Sequence, residues 1–158
     1  MKLINVISLL IGLTLPVYGQ GIPIITTIAG GGPNNVAALN AGLDQPTGGA
    51  VDSAGNFYFA GDSQVFRLSL TGHLTVVAGV SVKGSGGDGG PATRAGLYFP
   101  FAVALDGLGN LYIADNRNNR VRKLVLSTGI ISTIAGNGSG CGNSFTTFPA
   151  PATSVCVW

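Results

Sequence analysis

Between Phe101 and Ala135 the apolar and polar positions fall into four short blocks, Phe101–Leu105, Leu111–Ala114, Arg120–Val125 and Ile130–Ala135, separated by Gly, Asn, Asp, Ser or Thr. Blocks that alternate or run in β-branched and aromatic residues predict strands, here a, b, c and d, and no segment of the unit holds a helical period over ten residues. The Asp106-Gly107-Leu108-Gly109-Asn110 segment supplies residues that tolerate positive φ, as a tight a-to-b hairpin requires. Within strand b, alternation sends Leu111 and Ile113 to one face and Tyr112 to the other.

The same pattern occurs earlier in the chain. GLDQPTGGAVDSAGNFYFAGDSQVFRL, from Gly42, is rewritten as GLYFPFAVALDGLGNLYIADNRNNRVRKL, from Gly96, with Pro46/Pro100, Asp52/Asp106, Gly55/Gly109, Asn56/Asn110, Tyr58/Tyr112 and Ala60/Ala114 at a constant offset of 54 residues. The strand-d sequence appears three times, ending at Gly30, Gly79 and Gly136, which are spaced 49 and 57 residues apart. Four antiparallel strands per period of this length form a propeller blade, so the chain is expected to be all-β. Val51, Phe57, Phe59, Leu105, Leu111, Ile113 and the Ile and Val positions of the d strands are the expected core. Tyr58 and Tyr112 should face the next blade.

The later copy resembles the NHL repeat. Pro100, Asp106, Gly109, Asn110, Tyr112, Ala114, Asp115, Asn118, Asn119, Arg120, Arg122 and Lys123 match the repeat pattern almost completely, and Gly84–Leu97 resembles the GDGGPATxAxL linker of exported bacterial members. The resemblance implies a partial NHL-type β-propeller, about two four-stranded blades plus one lone outer strand at Ile24–Ala29. Repeat units span about 42–79 and 96–136, and an incomplete third starts from about 137. It assigns framework roles to Pro46, Asp52, Gly55, Asn56, Pro100, Asp106, Gly109, Asn110, Asp115, Asn119 and Arg120. The earlier copy departs from the pattern at Gly61-Asp62-Ser63-Gln64, where it is two residues shorter. Two and a quarter blades do not close a ring, so a fragment or truncated product of a longer propeller is expected; a ring of several copies and a small open array are the alternatives.

At the N-terminus Lys2 precedes an apolar run from Leu3 to Leu15 and small residues up to Gly19. This pattern predicts a signal peptide over 1–19, with residues 20–158 forming the propeller segment of a secreted or periplasmic protein. The run is shorter than the roughly 20 residues that a membrane span needs, so no span is expected after cleavage. Charged residues make up 9% of the chain, Glu is absent, and the net charge of +2 drops by one if Lys2 is removed, a balance that gives no reason to expect nucleic acid. Cys141 and Cys156, the only cysteines, either bridge a 15-residue loop or pair outside the chain.

Candidate chemistry is sparse. The single histidine, His73, lies in the turn between strands c and d, without the partners that a nucleophile–base pair or a zinc site requires. The family's amidating lyase uses metal-bound histidines that this sequence does not offer, so neither enzyme activity nor a cofactor is expected. The Gly84–Gly90 run lacks the Lys-Ser/Thr ending of a phosphate loop and reads as a linker with positive-φ turns. Asp115–Arg120 places Arg117 where a calcium loop needs an oxygen ligand. Arg117, Arg120, Arg122 and Lys123 form the one basic cluster; alternation puts Arg120 and Arg122 on one face and Lys123 on the other, and without interleaved aromatics the set reads as a solvated strand-c edge, not as an RNA face. Asp52 and Asp106 should accept backbone N–H bonds within their own hairpins. The expected function is an exported, non-catalytic module recognising an unknown protein or glycan, with self-association through open blade edges. The alternative is a sensor or accessory domain of a larger enzyme or receptor.

Overall fold

A computed structural model describes residues 36–37, 41, 43–141 and 150–157. The expected signal peptide and the lone strand at Ile24–Ala29 lie outside the described residues. Within them the fold is all-β, in two antiparallel sheets. The first contains β1 (Val36–Ala37), β2 (Gly49–Val51), β3 (Phe57–Ala60), β4 (Val65–Leu68) and β5 (His73–Ala78), in the spatial order β1-β5-β4-β3-β2. The second contains β6 (Pro100–Leu105), β7 (Asn110–Asp115), β8 (Arg120–Val125) and β9 (Ile130–Ala135), in sequential order. The four strands of the second sheet coincide with strands a to d to within one residue at each end. β1, which the sequence did not suggest, adds a fifth strand to the outer edge of the first sheet by pairing Val36 with Leu74 and Ala37 with His73.

The two sheets are related by the repeat down to their registers. Phe59 faces Phe66 as Ile113 faces Arg122, Leu68 faces Leu74 as Leu124 faces Ile131, and Val65 faces Ala78 as Val121 faces Ala135. The connections repeat as well. Gly79 N–H donates to the Ala92 carbonyl and Gly136 N–H to the Ala152 carbonyl, both at 2.9 Å, where Pro91 and Pro151 each lead into a one-turn 3-10 segment. Each linker is thereby tied to the end of the strand that precedes it. Cys141 and Cys156 are joined in a disulfide, and closing a loop of 15 residues stabilises the fold by about 3 kcal/mol through the entropy of the unfolded chain.

The main core lies between the sheets. Tyr58, Ala60, Val65 and Ala78 of the first sheet meet Val103, Leu111, Ile113, Leu124 and Ile131 of the second, with Ala92, Ala95 and Leu97 of the linker closing one end. Tyr58, only 4% exposed, is covered by the next blade as its alternation predicts. A second cluster on the opposite face of the first sheet stacks Phe57, Phe59 and Phe66 at centroid spacings of 5.4 and 5.3 Å, with Leu68 and Leu74 beside them.

Some expected core positions are corrected. Val51 is 62% exposed, because it ends edge strand β2 just before the Asp52 turn and no described residue roofs it. Phe57 and Leu105 are half-buried at the sheet margins, and Ile130, the first residue of β9, is exposed while Ile131 is buried.

Candidate functional site

Both a-to-b hairpins are built around a carboxylate. Asp52 Oδ1 accepts the N–H groups of Ala54 (3.0 Å) and Asn56 (2.8 Å), and Asp106 Oδ1 those of Leu108 (2.7 Å) and Asn110 (3.1 Å). The Asn56 and Asn110 side-chain amides donate to the second carboxylate oxygens at 2.8 and 2.6 Å, and Tyr112 Oη donates to Asp106 Oδ2 at 3.2 Å. These turns satisfy backbone donors that would otherwise lack partners, and Gly55 (φ 82°) and Gly109 (φ 91°) allow the reversal. The Asn110 amide, ahead of the backbone donors and the tyrosine hydroxyl, holds the Asp106 carboxyl below its ordinary 3.8, at about 2. The Asp52 carboxyl is lowered in the same sense, the Asn56 amide being the largest cause.

At the opposite end of the second sheet, the sequence expectation of a solvated basic edge is overturned. Arg122 is completely buried. Its Nη1 lies 3.4 Å from Asp115 Oδ2 and 3.4 Å from the Gly96 carbonyl; its Nη2 lies 2.8 Å from Asp88 Oδ1 and 3.4 Å from the Gly86 carbonyl. Alternation explains the burial, since Arg122 shares its face with Leu124 and, across the register, with Ile113. Asp115, buried at the end of β7, also accepts the Tyr98 N–H (2.9 Å) and the Asn118 amide (2.8 Å), and that amide donates in addition to the Gly84 carbonyl at 2.6 Å. Arg120 Nη1 donates to the Ser85 carbonyl at 3.0 Å. Burial pushes the Asp115 carboxyl upward, and the Asn118 amide, the Tyr98 N–H and Arg122 oppose that push.

Asn118, Arg120 and Arg122 together hold the carbonyls of Gly84, Ser85, Gly86 and Gly96, and Asp115 accepts from Asn118 and Arg122 and so fixes both donors. They are the clamp that fixes the glycine-rich linker, in which Gly87 and Gly89 take the positive φ expected of turn positions. Asn119, in the left-handed conformation at φ 50° and ψ 49°, ends the one-turn segment Asn116–Asn118 and returns the chain to β8.

The clamp leaves a different set of side chains free. Phe99, Phe101, Asn116, Arg117 and Asn119 line an open cleft of about 630 Å³ where the linker meets β6 and the Asn116–Asn118 turn. Phe101 is 57% exposed, and the Arg117 guanidinium has no ion pair among the described residues. Phe99, just before Pro100, has φ 53°, an outlier for an aromatic residue. Its position is fixed from both sides: Phe99 N–H donates to the Asp62 carbonyl (3.0 Å), and Arg117 N–H donates to the Tyr98 carbonyl (3.1 Å). The sequence reading placed Asn119 and Arg117 in a loop but did not single out Phe99, Phe101 or Asn116. Two aromatics flanking a proline at the start of a predicted strand were the available signal.

Residues 97–124 match the NHL repeat family. This segment is similar to an NHL repeat. It spans Leu97 to Leu124, and so contains the hairpin carboxylate Asp106, both charged partners Asp115 and Arg122, and all five residues of the cleft. No curated protein matches the chain. Among solved structures 49 chains match. One, a structural genomics protein of unknown function from Bacteroides thetaiotaomicron, is 28% identical over 56% of this chain, with a TM-score of 0.47; the match covers 22% of that protein. An NHL repeat forms a propeller blade, a fold whose usual role is non-catalytic binding.

The equivalent place in the first blade is built differently. The repeat's Asp115 and Arg122 correspond to Gly61 and Phe66, and a Cβ on Gly61 would lie 3.1 Å from the Phe66 ring. An aromatic ring on a glycine therefore replaces the ion pair. The residue before the proline is again left-handed, Gln45 at φ 44°, but the recess beside it is small, about 140 Å³, and is lined by Asp44, Asp62, Ser63, Gln64, Phe66 and Ser81. His73, expected in the turn, is instead the first residue of β5, where it is exposed with Nδ1 3.3 Å from Thr71 Oγ1.

Proposed function

We propose that this chain is an exported, non-catalytic NHL-repeat module that recognises a protein or glycan through the loops at the linker end of its blades. The observation that carries this reading is a division of labour around the NHL repeat. Asn118, Arg120 and Arg122 are spent on linker backbone, with Asp115 bonded to two of them, while Phe99, Phe101, Asn116 and Arg117, on the same short segments, are left to line the cleft. A rigid frame presenting a few exposed aromatic and polar side chains is the arrangement that binding loops use.

Export follows from Lys2 and the Leu3–Leu15 run, with Gln20 as the mature N-terminus. Fractionation of the expressing cell and N-terminal sequencing test this part; a cytosolic protein that keeps Met1 refutes it. Probing glycan and protein arrays with the chain, alongside an Arg117→Gln/Phe101→Ser variant, tests recognition. The expected result is a restricted set of positives that the variant loses, and signals indifferent to the double substitution refute a role for the cleft.

A further inference from the structure

Resting on the recognition reading, the chemistry of the cleft identifies its ligand more closely. Among the described residues no carboxylate lines it, and their one charge there is the Arg117 guanidinium, whose planar fork suits bidentate pairing with a carboxylate. The rest of the lining is two aromatic rings and two carboxamides. A ring face with negative π density attracts the C–H groups along one face of a pyranose, and a carboxamide both donates to and accepts from vicinal hydroxyls. The recess at the equivalent place in the first blade carries Asp44 and Asp62 instead, and would repel the same anion. We infer that the cleft formed by Phe99, Phe101, Asn116, Arg117 and Asn119 binds a uronic-acid residue of an acidic glycan, its carboxylate on Arg117 and its apolar ring face on the exposed Phe101 beside the half-buried Phe99.

The position of the cleft argues against an extended peptide. Peptides that add to a sheet need a free strand edge with unpaired N–H and C=O groups. This cleft instead lies at the end of the sheet, where Pro100 starts β6, Asp115 ends β7 and Arg120 starts β8. Three of the local backbone groups are already used: Arg117 N–H by the Tyr98 carbonyl, Asn119 N–H by the Asn116 carbonyl, and the Phe101 carbonyl by Gly48 N–H. Recognition here falls to side chains, and these suit a planar carboxylate on a hydroxylated ring.

The test is calorimetric or NMR titration of the whole chain with trigalacturonate, with its methyl ester and with a neutral trigalactoside. The free acid should bind, and esterification should weaken binding by at least about tenfold, the scale of one charge-assisted pair. Arg117→Gln should cost the same factor and remove the preference for the free acid, and Phe101→Ser should weaken both forms. Lys123→Gln, a cation outside the cleft, should leave binding unchanged. Equal losses in Arg117→Gln and Lys123→Gln would mean diffuse charge attraction and overturn the assignment, as would equal affinity for acid and ester or no binding of the acid. If trigalacturonate fails while an acidic peptide binds through Arg117, the ligand class is wrong and the recognition reading survives. If the chain cleaves trigalacturonate, the non-catalytic reading fails and the site assignment stands.

Discussion

The two blades share one backbone plan and support it with opposite chemistry at one point. In the second blade the end of β7 is pinned by Asp115 and Arg122, both without exposed surface and tied onward to Asp88 and three linker carbonyls. In the first, Phe66 covers Gly61 at the same register position and completes a stack of three aromatic rings. The registers and the left-handed residue before the proline are alike in both. Backbone pairing and turn chemistry therefore suffice for the blade, and the ion pair contributes something local: it organises the Gly84–Gly96 linker and the turn that carries Asn116 and Arg117. A buried ion pair is a poor source of net stability, whereas breaking one is costly. That asymmetry makes the comparison testable.

The largest effect should come from leaving one charge alone. Arg122→Ala strands Asp115, and Arg122→Ala or Asp115→Ala should each cost roughly 3 to 5 kcal/mol in urea unfolding. The paired replacement Asp115→Leu/Arg122→Met, which follows the first blade's apolar solution, should recover most of that loss. If the pair is no better than the singles, the first blade's chemistry does not transfer.

Next comes coverage. Tyr58 and Tyr112 are repeat equivalents, but Tyr58 is packed under the second blade while Tyr112 is half-exposed among the described residues. Tyr58→Ala should cost roughly 3 kcal/mol, in the range of a large core truncation, and Tyr112→Ala much less. Similar losses would mean that the Tyr112 face is covered in solution. Concentration-dependent light scattering would then show whether a second copy supplies the cover.

The smallest effect separates the hairpin carboxylate from the clamp. Because the folded Asp106 carboxyl sits at about 2 and its ordinary value is 3.8, the unfolded chain binds more protons between those limits. The stability Asp106 contributes is thus fully present above pH about 4 and is lost as pH falls toward 2. Asp106→Asn should flatten the stability–pH curve in that window alone; an unchanged slope there would show that the turn does not hold the ionised form.

Much of this architecture was legible because it is local. Period-two blocks bounded by turn residues located β6 to β9, and the Asp–x–x–Gly–Asn spacing predicted the hairpin hydrogen bonds. What sequence reading lost was non-local. Alternation separates Arg120 and Arg122 from Lys123, but their charges make that face read as solvated, although it also carries Leu124 and hence meets the core. The Arg122 partners Asp88 and Gly86 lie more than thirty residues upstream, brought to it by a linker whose path no short-range pattern encodes. Val51 was misjudged because a β-branched residue in a strand reads as buried unless its place at the sheet edge is known. The cleft escaped notice because Phe101 reads as an ordinary strand residue and Phe99, just before the strand, carries no mark in the pattern; only its left-handed backbone sets it apart.

The central claim is that the Asp115–Arg122 pair fixes the linker and the cleft-bearing turn without building the blade. Amide hydrogen exchange, compared residue by residue between the native chain and Arg122→Met, tests it most directly. Protection should fall at Gly96 (bonded to the Gly86 carbonyl), Tyr98 (bonded to Asp115) and Arg117 (bonded to Tyr98), while Ala54 and Asn56 in the first blade's hairpin stay as they were. Unchanged protection at Gly96 and Tyr98, or a loss spread evenly over both blades, would contradict the account.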